Sequence, residues 1–135
     1  MLVSTKGRYA LRVMIVLAEN SESYAPLKEI AESEGISEKY MESILVMLTK
    51  VGILEGLRGK GGGYRLARPA DEITVGSVLK VVEGGLSPVS CLTAPNHKCD
   101  KTEGCKTRPM WEKLDGVIDE FLESITLADL ANGTV

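Results

Sequence analysis

Three stretches in the first half of the chain carry apolar residues at helical spacing. The first, "KGRYALRVMIVLAENSE", predicts an amphipathic helix built on Tyr9, Ala10, Val13, Met14, Val16 and Leu17. The second, "PLKEIAESEG", predicts a short helix with Pro26 near its first turn and Gly35 at its end. The third, "ISEKYMESILVMLTKVG", has Ser37 as a favourable N-cap and Gly52 as the closing residue. Two short helices joined by a tight turn that contains glycine indicate a helix-turn-helix, although many helical bundles contain such a pair.

The third helix is expected to bury one face and expose the other. The apolar face consists of Tyr40, Met41, Ile44, Leu45, Met47 and Leu48. The other face carries Glu38, Lys39, Glu42, Ser43 and Val46. The periodicity alone is compatible both with packing in a bundle and with a helix that reads DNA.

A glycine-rich hairpin is predicted directly after the three helices. Two strand-like runs, Ile53–Leu57 and Tyr64–Ala67, flank "RGKGGG". The stretch lacks the GxxxxGK[ST] order and the GxGxxG spacing of phosphate-binding loops, so a nucleotide site is not expected. The hairpin is interpreted as a wing whose small tip residues let Arg58 and Lys60 approach the sugar-phosphate backbone or the minor groove, where arginine is favoured. The alternative is an exposed loop with two solvated charges.

The second half of the chain predicts two more helices. Thr74 is placed to cap a helix that runs through Glu83. A long helix is predicted from about Pro109 to Ile125, because apolar residues repeat there at the spacing of a heptad seam: Trp111, Leu114, Ile118, Phe121 and Ile125. The seam suits either packing within the chain or pairing with a second subunit. Pairing is favoured, because the seam holds the only Trp and Phe of the chain and winged-helix modules commonly bind paired half-sites as dimers.

The predicted fold is mainly α-helical. A winged helix-turn-helix domain with a small β-hairpin wing is expected over residues 1–83, a loop containing the cysteines over residues 84–108, and a dimerisation helix with a C-terminal segment over residues 109–131. At 135 residues the chain has about the length of one domain.

Composition and charge narrow the class of protein. Aromatic residues make up only 4% of the chain, so the core must be aliphatic. Residues 1–68 carry ten Lys and Arg against eight Asp and Glu, whereas residues 69–135 carry six against eleven, which permits DNA binding through the first half. No apolar run is long enough to span a membrane and no signal peptide is recognisable, so a cytoplasmic protein without a membrane partner is expected. With one histidine and no nucleophile–base motif, the chain is not expected to be an enzyme.

All three cysteines occur in one polar segment, "SCLTAPNHKCDKTEGCK", as Cys91-x7-Cys99-x5-Cys105. Three thiolates on one segment can hold an iron–sulfur cluster. A structural zinc bound with His97 is the second interpretation, although the short CxxC knuckles common in zinc sites are absent. Reversibly oxidised cysteines are the third, and three unligated thiols the fourth.

Six stretches together resemble the IscR-like family of bacterial winged-helix iron–sulfur-cluster transcription regulators. They are "STKGRYAL", "GISEKYMESIL", "RGKGGGYRLARP", "ITVGSVLKVVEG", "SPVSCL" and "ITLADLA", and the resemblance runs from about residue 1 to residue 131. A related branch, the CymR-type cysteine-metabolism repressors, shares the scaffold but lacks the cysteine cluster.

The resemblance implies a homodimer that binds double-stranded promoter DNA. By position in the family, Ser37, Lys39, Tyr40, Glu42 and Ser43 would face the major groove, and Arg58 would reach the minor groove. Glu42 matches a glutamate that influences which sites the family accepts, since a carboxylate can accept a hydrogen bond from cytosine and is repelled by phosphates.

The resemblance also implies a [2Fe–2S] cluster held by Cys91, Cys99 and Cys105. The family has a histidine as fourth ligand three residues after the last cysteine, and this chain has Arg108 there. Because arginine is a poor ligand, the fourth ligand stays open. The alternatives are His97, Asp100, Glu103 or a group from the partner subunit.

The sequence therefore predicts a DNA-binding transcription regulator, expected to be a repressor, whose promoter choice is controlled by the cluster. The expected targets are genes for iron–sulfur assembly or cysteine metabolism. The alternative is a winged-helix regulator with structural zinc or redox thiols that acts through an enzyme of cysteine synthesis. An electron carrier is the rival from another class, but it would leave the wing and the third helix without a purpose.

Overall fold

The computed structural model describes residues 3–92 and 104–135. These residues form six α-helices and one antiparallel pair of strands, which confirms the mainly α-helical fold with a hairpin. The elements are α1 (Thr5–Glu19), α2 (Leu27–Glu34), α3 (Glu38–Lys50), β1 (Leu54–Leu57), β2 (Gly63–Leu66), α4 (Val75–Glu83), α5 (Arg108–Glu123) and α6 (Leu127–Asn132). Short 3-10 turns occur at Ala70–Glu72 and Ser90–Leu92.

The predicted helix starts have the geometry of N-caps. The Ser37 hydroxyl accepts a hydrogen bond from the Tyr40 N–H at 3.1 Å, and the Thr74 hydroxyl accepts one from the Ser77 N–H at 3.0 Å. Each bond satisfies an amide that has no partner within its helix. Between α2 and α3 the chain turns at Gly35, whose φ of 68° lies in the left-handed region that glycine adopts without strain. These local choices produce the helix-turn-helix.

The wing is a hairpin that is also joined to the segment before α2. Its register pairs Leu54 with Leu66 and Leu57 with Gly63, so β2 begins one residue earlier than predicted. Ala25 and Tyr64 exchange two backbone hydrogen bonds of 2.8 and 2.9 Å. A Cβ on Gly63 would come 2.1 Å from the Ala25 carbonyl oxygen, so only glycine permits this close approach. The base of the wing is therefore held against the helices.

One aliphatic core lies between the helices and the base of the wing. Its fully buried members include Val13 and Met14 of α1, Ile44 and Leu45 of α3, and Leu127 of α6. Burial of each such side chain contributes about 1.5–3 kcal/mol. The core holds one face of α3 inward and thereby turns its polar face to solvent.

The two C-terminal helices do not continue as one long helix: α5 packs on α4, and α6 packs mainly on α1. The predicted helix over residues 109–125 ends at Glu123, because Thr126 caps a new helix and shares a reciprocal capping box with Asp129. The Ile125 carbonyl accepts a hydrogen bond from the Val75 N–H at 2.8 Å. Ile125 packs inward against a second cluster formed by Val75, Leu79 and Leu86. It therefore does not extend the exposed seam predicted for residues 111–125.

Within the two described ranges, no helix combines the length and the apolar character needed to cross a lipid bilayer.

Candidate nucleic-acid interface

The polar side of α3 and its N-cap form an exposed surface beside the wing. Ser37, Lys39, Glu42 and Ser43 are exposed, and Tyr40 is half-buried. The structure thus brings together on one surface the α3 residues that the sequence assigned to DNA.

The two serine hydroxyls of this surface are oriented by the Tyr40 backbone. Ser37 Oγ accepts from the Tyr40 N–H, whereas Ser43 Oγ donates to the Tyr40 carbonyl at 2.6 Å. The Ser37 hydroxyl can therefore still donate its proton to a phosphate or a base, and the Ser43 oxygen can still accept. The pair offers one donor and one acceptor along the first turn and a half of α3.

The wing carries its basic residues at the tip. Arg58 and Lys60 are exposed in the loop between β1 and β2. Beside them, a groove of about 580 Å³ separates the wing from α2 and α3. Thr49 and Lys50 line the α3 side of this groove, and Arg58 lines the wing side. Two cations therefore face one open groove, which suits an anionic backbone.

Tyr64 is a groove residue that the sequence analysis missed. Its pKa is raised, first by partial burial and then by the negative charge of Glu42, while Arg58 acts in the opposite direction. Its ring therefore lies within the electrostatic reach of both α3 and the wing. The "GGY" stretch assigned Tyr64 to a strand, but no local pattern shows that the strand places it beside α3.

A second group of residues that the sequence analysis did not identify connects α1 to α3. The rings of Tyr9 and Tyr40 meet edge to face with centroids 6.2 Å apart. The Arg12 guanidinium lies 5.5 Å over the Tyr9 ring, and its Nε lies 2.9 Å from Glu34 Oε2. Tyr9 and Arg12 are three residues apart on α1, which is the one signal in the sequence that they share a face.

Two of the three predicted cysteine ligands lie in the described ranges. Cys91 and Cys105 are partly exposed free thiols. The pKa of Cys105 is lowered, chiefly by the Thr107 hydroxyl 3.4 Å away and then by the backbone N–H groups of Thr107 and Arg108 at the start of α5. This favours the thiolate, which is the form that binds metals. Arg108 directs its Nε at Glu112 Oε1, 2.9 Å away.

The remaining candidates, His97, Cys99, Asp100 and Glu103, lie outside the described residues. Within residues 3–92 and 104–135, no three His, Cys, Asp or Glu side chains come together as a metal-binding group. Cys91 and Cys105 have the thiol chemistry of cluster ligands, and the other predicted ligands lie outside the described residues.

A stripe of large apolar side chains runs along α5 on the side away from α4. Met110, Leu114, Val117 and Phe121 are 52%, 39%, 63% and 58% exposed. On the other side of α5, Asp119 and Glu123 pair with Lys80 of α4. The exposed stripe and the predicted seam therefore have Leu114 and Phe121 in common.

Of the remaining predicted members, Trp111 and Ile118 lie elsewhere on α5, and Ile125 follows the end of that helix. Ile118 lines a small groove against the end of α4, and both Ile118 and Trp111 are half-buried.

Three packed helices that expose the polar face of the third, followed by a hairpin with a basic tip, define a winged-helix DNA-binding protein. A family model for Rrf2, described as an iron-dependent transcriptional regulator, matches residues 3–133. The chain belongs to the Rrf2 family.

The chain is similar to two kinds of regulator. It is 39% identical over 133 residues to the HTH-type transcriptional regulator IscR of Erwinia tasmaniensis, covering 98% of this chain and 79% of that protein. The structure of CymR, the global cysteine regulator of Bacillus subtilis, matches with 37% identity and a TM-score of 0.81, covering 100% of this chain and 99% of that one. The structure of IscR of T. potens matches with 37% identity and a TM-score of 0.76, covering 100% and 89%.

These findings confirm that the chain is a DNA-binding transcriptional regulator and not an enzyme. IscR-type and CymR-type relatives are similar to it to nearly the same degree, so the comparisons do not decide what its cysteines bind.

Proposed function

We propose that this regulator reads promoter DNA as a homodimer and that an iron–sulfur cluster held by Cys91, Cys99 and Cys105 controls which promoters it binds. The DNA-reading part depends on one observation, the exposed polar face of α3 beside a basic wing tip. The resemblance to cluster-binding regulators and the thiol chemistry of the cysteine segment support the sensory part. As a regulator of bacterial DNA, it would act in the cytoplasm.

On DNA, α3 enters the major groove and the wing lies over the neighbouring minor groove. Ser37, Tyr40 and Ser43 contact base edges or phosphates at the start of α3, and Lys39 neutralises phosphate charge. Glu42 selects for cytosine because its carboxylate accepts from the cytosine amino group and is repelled elsewhere by phosphates. Arg58 enters the minor groove, and Lys60 contacts the backbone beside it.

The homodimer forms through the apolar stripe on α5. Met110, Leu114, Val117 and Phe121 repeat at four, three and four residues, which is the spacing of a helix that packs on another helix. A second copy of α5 would bury all four side chains, while the α4 side of the helix keeps its ion pairs. Two α3 helices then face successive turns of a palindromic site.

The cluster is held by thiolates, and the site at the start of α5 suits them. Hydrogen bonds from Thr107 and Arg108 stabilise negative charge on Cys105, and Arg108, paired with Glu112, adds a cation beside it rather than a ligand. When bound, such a cluster supplies sensitivity to iron and to oxidants. It can change DNA affinity only by binding the two conformations of the protein differently, typically by about 1–3 kcal/mol. The proposed targets are genes for iron–sulfur assembly or cysteine supply.

A second candidate keeps the DNA reading and replaces the cluster by reversible thiol oxidation or zinc, with an enzyme of cysteine synthesis as partner. The stabilised Cys105 thiolate favours it, because a thiolate is also the form that oxidants attack. The similarity to CymR of Bacillus subtilis supports a link to cysteine.

Two measurements test the proposal. For DNA reading, selection from a pool of randomised duplexes should enrich a palindromic sequence, and the absence of any enriched sequence would refute it.

For the cluster, protein purified without air should show visible absorption, with iron and sulfide in equal amounts. Cys99→Ala should abolish both while Thr93→Ala, a control in the same segment, keeps them. Colourless protein with stoichiometric zinc would favour the second candidate.

A further inference from the structure

Tyr40 stands at the start of the DNA-reading helix, and its position depends on a neighbour from another helix. Its backbone amide and carbonyl are engaged with Ser37 and Ser43, as described above. Its ring is fixed by the edge-to-face contact with Tyr9 of α1 at 6.2 Å. The direction in which Tyr40 enters the interface is therefore set from α1.

Tyr9 is in turn held by an ion pair that reaches into the helix-turn-helix. Glu34 is the last residue of α2, and its side chain is only 7% exposed. Its Oε2 lies 2.9 Å from Arg12 Nε, but the N–H direction falls outside hydrogen-bonding geometry, and no other described group donates to this oxygen. Charge attraction thus dominates the contact. The same guanidinium lies 5.5 Å over the Tyr9 ring.

We propose that Arg12 and Glu34 are positioning residues for DNA recognition: through the ring of Tyr9 they fix Tyr40, and with it the first turn of α3, before DNA arrives. This inference rests on the proposed role of α3 as the DNA-reading helix. It adds to that role a pair of charged residues that do not themselves contact DNA.

The physical reason is the burial of the Glu34 carboxylate. A nearly buried charge is costly unless an opposite charge compensates it, so Glu34 holds the Arg12 guanidinium beside it, although the Arg12 side chain is 61% exposed. A guanidinium so held attracts the face of Tyr9 and restricts where that ring can lie. Restricting Tyr40 in advance reduces the ordering that binding requires, and this favours the correct sequence over others.

The pairing with Glu34 makes the expected behaviour of Arg12 different from that of a residue that contacts a phosphate. Its charge is largely compensated by Glu34, so the pair presents little net positive charge to DNA. A residue that neutralises a phosphate contributes about one unit to the slope of log K against log salt, and it strengthens specific and non-specific binding alike. A positioning residue changes the ratio of specific to non-specific affinity and leaves that slope unchanged.

The test compares Arg12→Gln, Glu34→Gln and the double variant with the wild-type chain. Each is titrated, over a range of salt concentrations, with the duplex recovered by selection and with a scrambled duplex of equal length. The two single variants should lower the specific affinity about 5- to 30-fold with little change for the scrambled duplex. The double variant should lose less than the product of the two single losses, because it leaves no uncompensated buried charge.

Arg8→Gln is the matched control, since Arg8 is one turn earlier on α1 and hydrogen-bonds Thr5 rather than Glu34. It should leave the ratio of specific to non-specific affinity unchanged. An unchanged ratio in both Arg12→Gln and Glu34→Gln would overturn the inference. So would a parallel loss on both duplexes with a slope lower by about one unit, because Arg12 would then be a phosphate contact.

A measurement without DNA separates this inference from the proposed function. In NMR spectra of the free protein, the ring protons of Tyr40 should shift in Glu34→Gln, a nearly isosteric change, and should not shift in Arg8→Gln. Unmoved Tyr40 resonances in Glu34→Gln would overturn the inference even if the wild-type chain binds its duplex. If the wild-type chain enriches no duplex, DNA reading is refuted. The NMR result would still show whether Arg12 and Glu34 position Tyr40 through the ring of Tyr9.

Discussion

The junction between α4 and α5 depends on one carboxylate that is held from three sides. Glu123 Oε2 accepts a hydrogen bond from the Thr74 hydroxyl at 2.8 Å, and Oε1 accepts one from Lys80 Nζ at 3.0 Å. Gly76 lies directly beneath, where a Cβ would come 2.4 Å from Glu123 Oε1. The perturbations that examine this arrangement are Glu123→Ala, Gly76→Ala and the two combined.

The expected changes in the free energy of unfolding follow from these contacts. A hydrogen bond to a charged group contributes about 1.5–3 kcal/mol, and the half-exposed ion pair with Lys80 adds roughly 0.2–1 kcal/mol. Glu123→Ala should therefore lower the free energy of unfolding by about 2–4 kcal/mol. Gly76→Ala should displace the Glu123 carboxylate and forfeit much of the same energy, offset by up to about 1 kcal/mol from the higher helix propensity of alanine.

The double variant gives the sharper prediction, because the effect of Gly76→Ala on the free energy of unfolding should change sign. Once Glu123 is alanine, the three atoms nearest to the new methyl group at residue 76, all from the Glu123 side chain, are gone. Gly76→Ala should then stabilise the Glu123→Ala protein, by up to about 1 kcal/mol, although it destabilises the wild type.

Urea unfolding followed by the fluorescence of Trp111, the only tryptophan, measures these values on α5 itself. All variants are compared at one protein concentration, since dimer formation would make stability concentration-dependent. Glu120→Ala, an exposed glutamate on the same helix, is the matched control and should change stability by less than about 0.5 kcal/mol. Equal destabilisation by Gly76→Ala in both backgrounds would refute the reasoning, because the methyl group would then clash with something other than Glu123.

Three further predictions follow from the same structure. Arg58→Ala should weaken DNA binding and lower the salt slope by about one unit if Arg58 meets a phosphate, as measured by fluorescence anisotropy. Phe121→Glu should convert a dimer to a monomer in analytical ultracentrifugation, and a persistent dimer would show that the α5 stripe is not the interface. The pKa of Asp129 is lowered from 3.8, chiefly by the N–H of Thr126, so its stabilising effect is present above that value and is lost as pH falls through the lowered pKa. Asp129→Ala should therefore remove part of the acid sensitivity below about pH 4, as measured by thermal melts.

Local patterns were sufficient to predict helices α1 to α4. The apolar positions of α3 recur every three or four residues, and Ser37 and Thr74 carry side chains that can satisfy an open amide, so the starts of α3 and α4 followed from their own neighbours in sequence. The wing followed for the same reason, since "RGKGGG" between two strand-like runs has few other folds.

Contacts between segments that are distant in sequence could not be predicted from local patterns. Tyr64 lies beside the groove because its backbone pairs with Ala25, a residue far away in sequence. Ile125 continues the heptad spacing of α5 perfectly, yet it turns inward because Thr126 starts a new helix there. The Glu34–Arg12 pair joins α2 to α1, and single residues of these types occur on the surface of most helices. In each case a partner that the spacing does not reveal decides the role of the residue.

The described residues on both sides of the cysteine segment are anchored to other helices. At its upstream side, Glu83 accepts hydrogen bonds from the Ser4 backbone at 3.0 Å and the Ser4 hydroxyl at 2.7 Å, at the start of α1. At its downstream side α5 begins, and Glu123 fastens α5 to α4. Because Tyr9 of α1 contacts the Tyr40 ring, the proposed positioning of Tyr40 would connect the upstream anchor to α3. The proposed cluster could change DNA binding only if it bound more tightly to one conformation of the protein than to another. The quantity to measure is therefore the difference in DNA affinity between protein with and without the cluster.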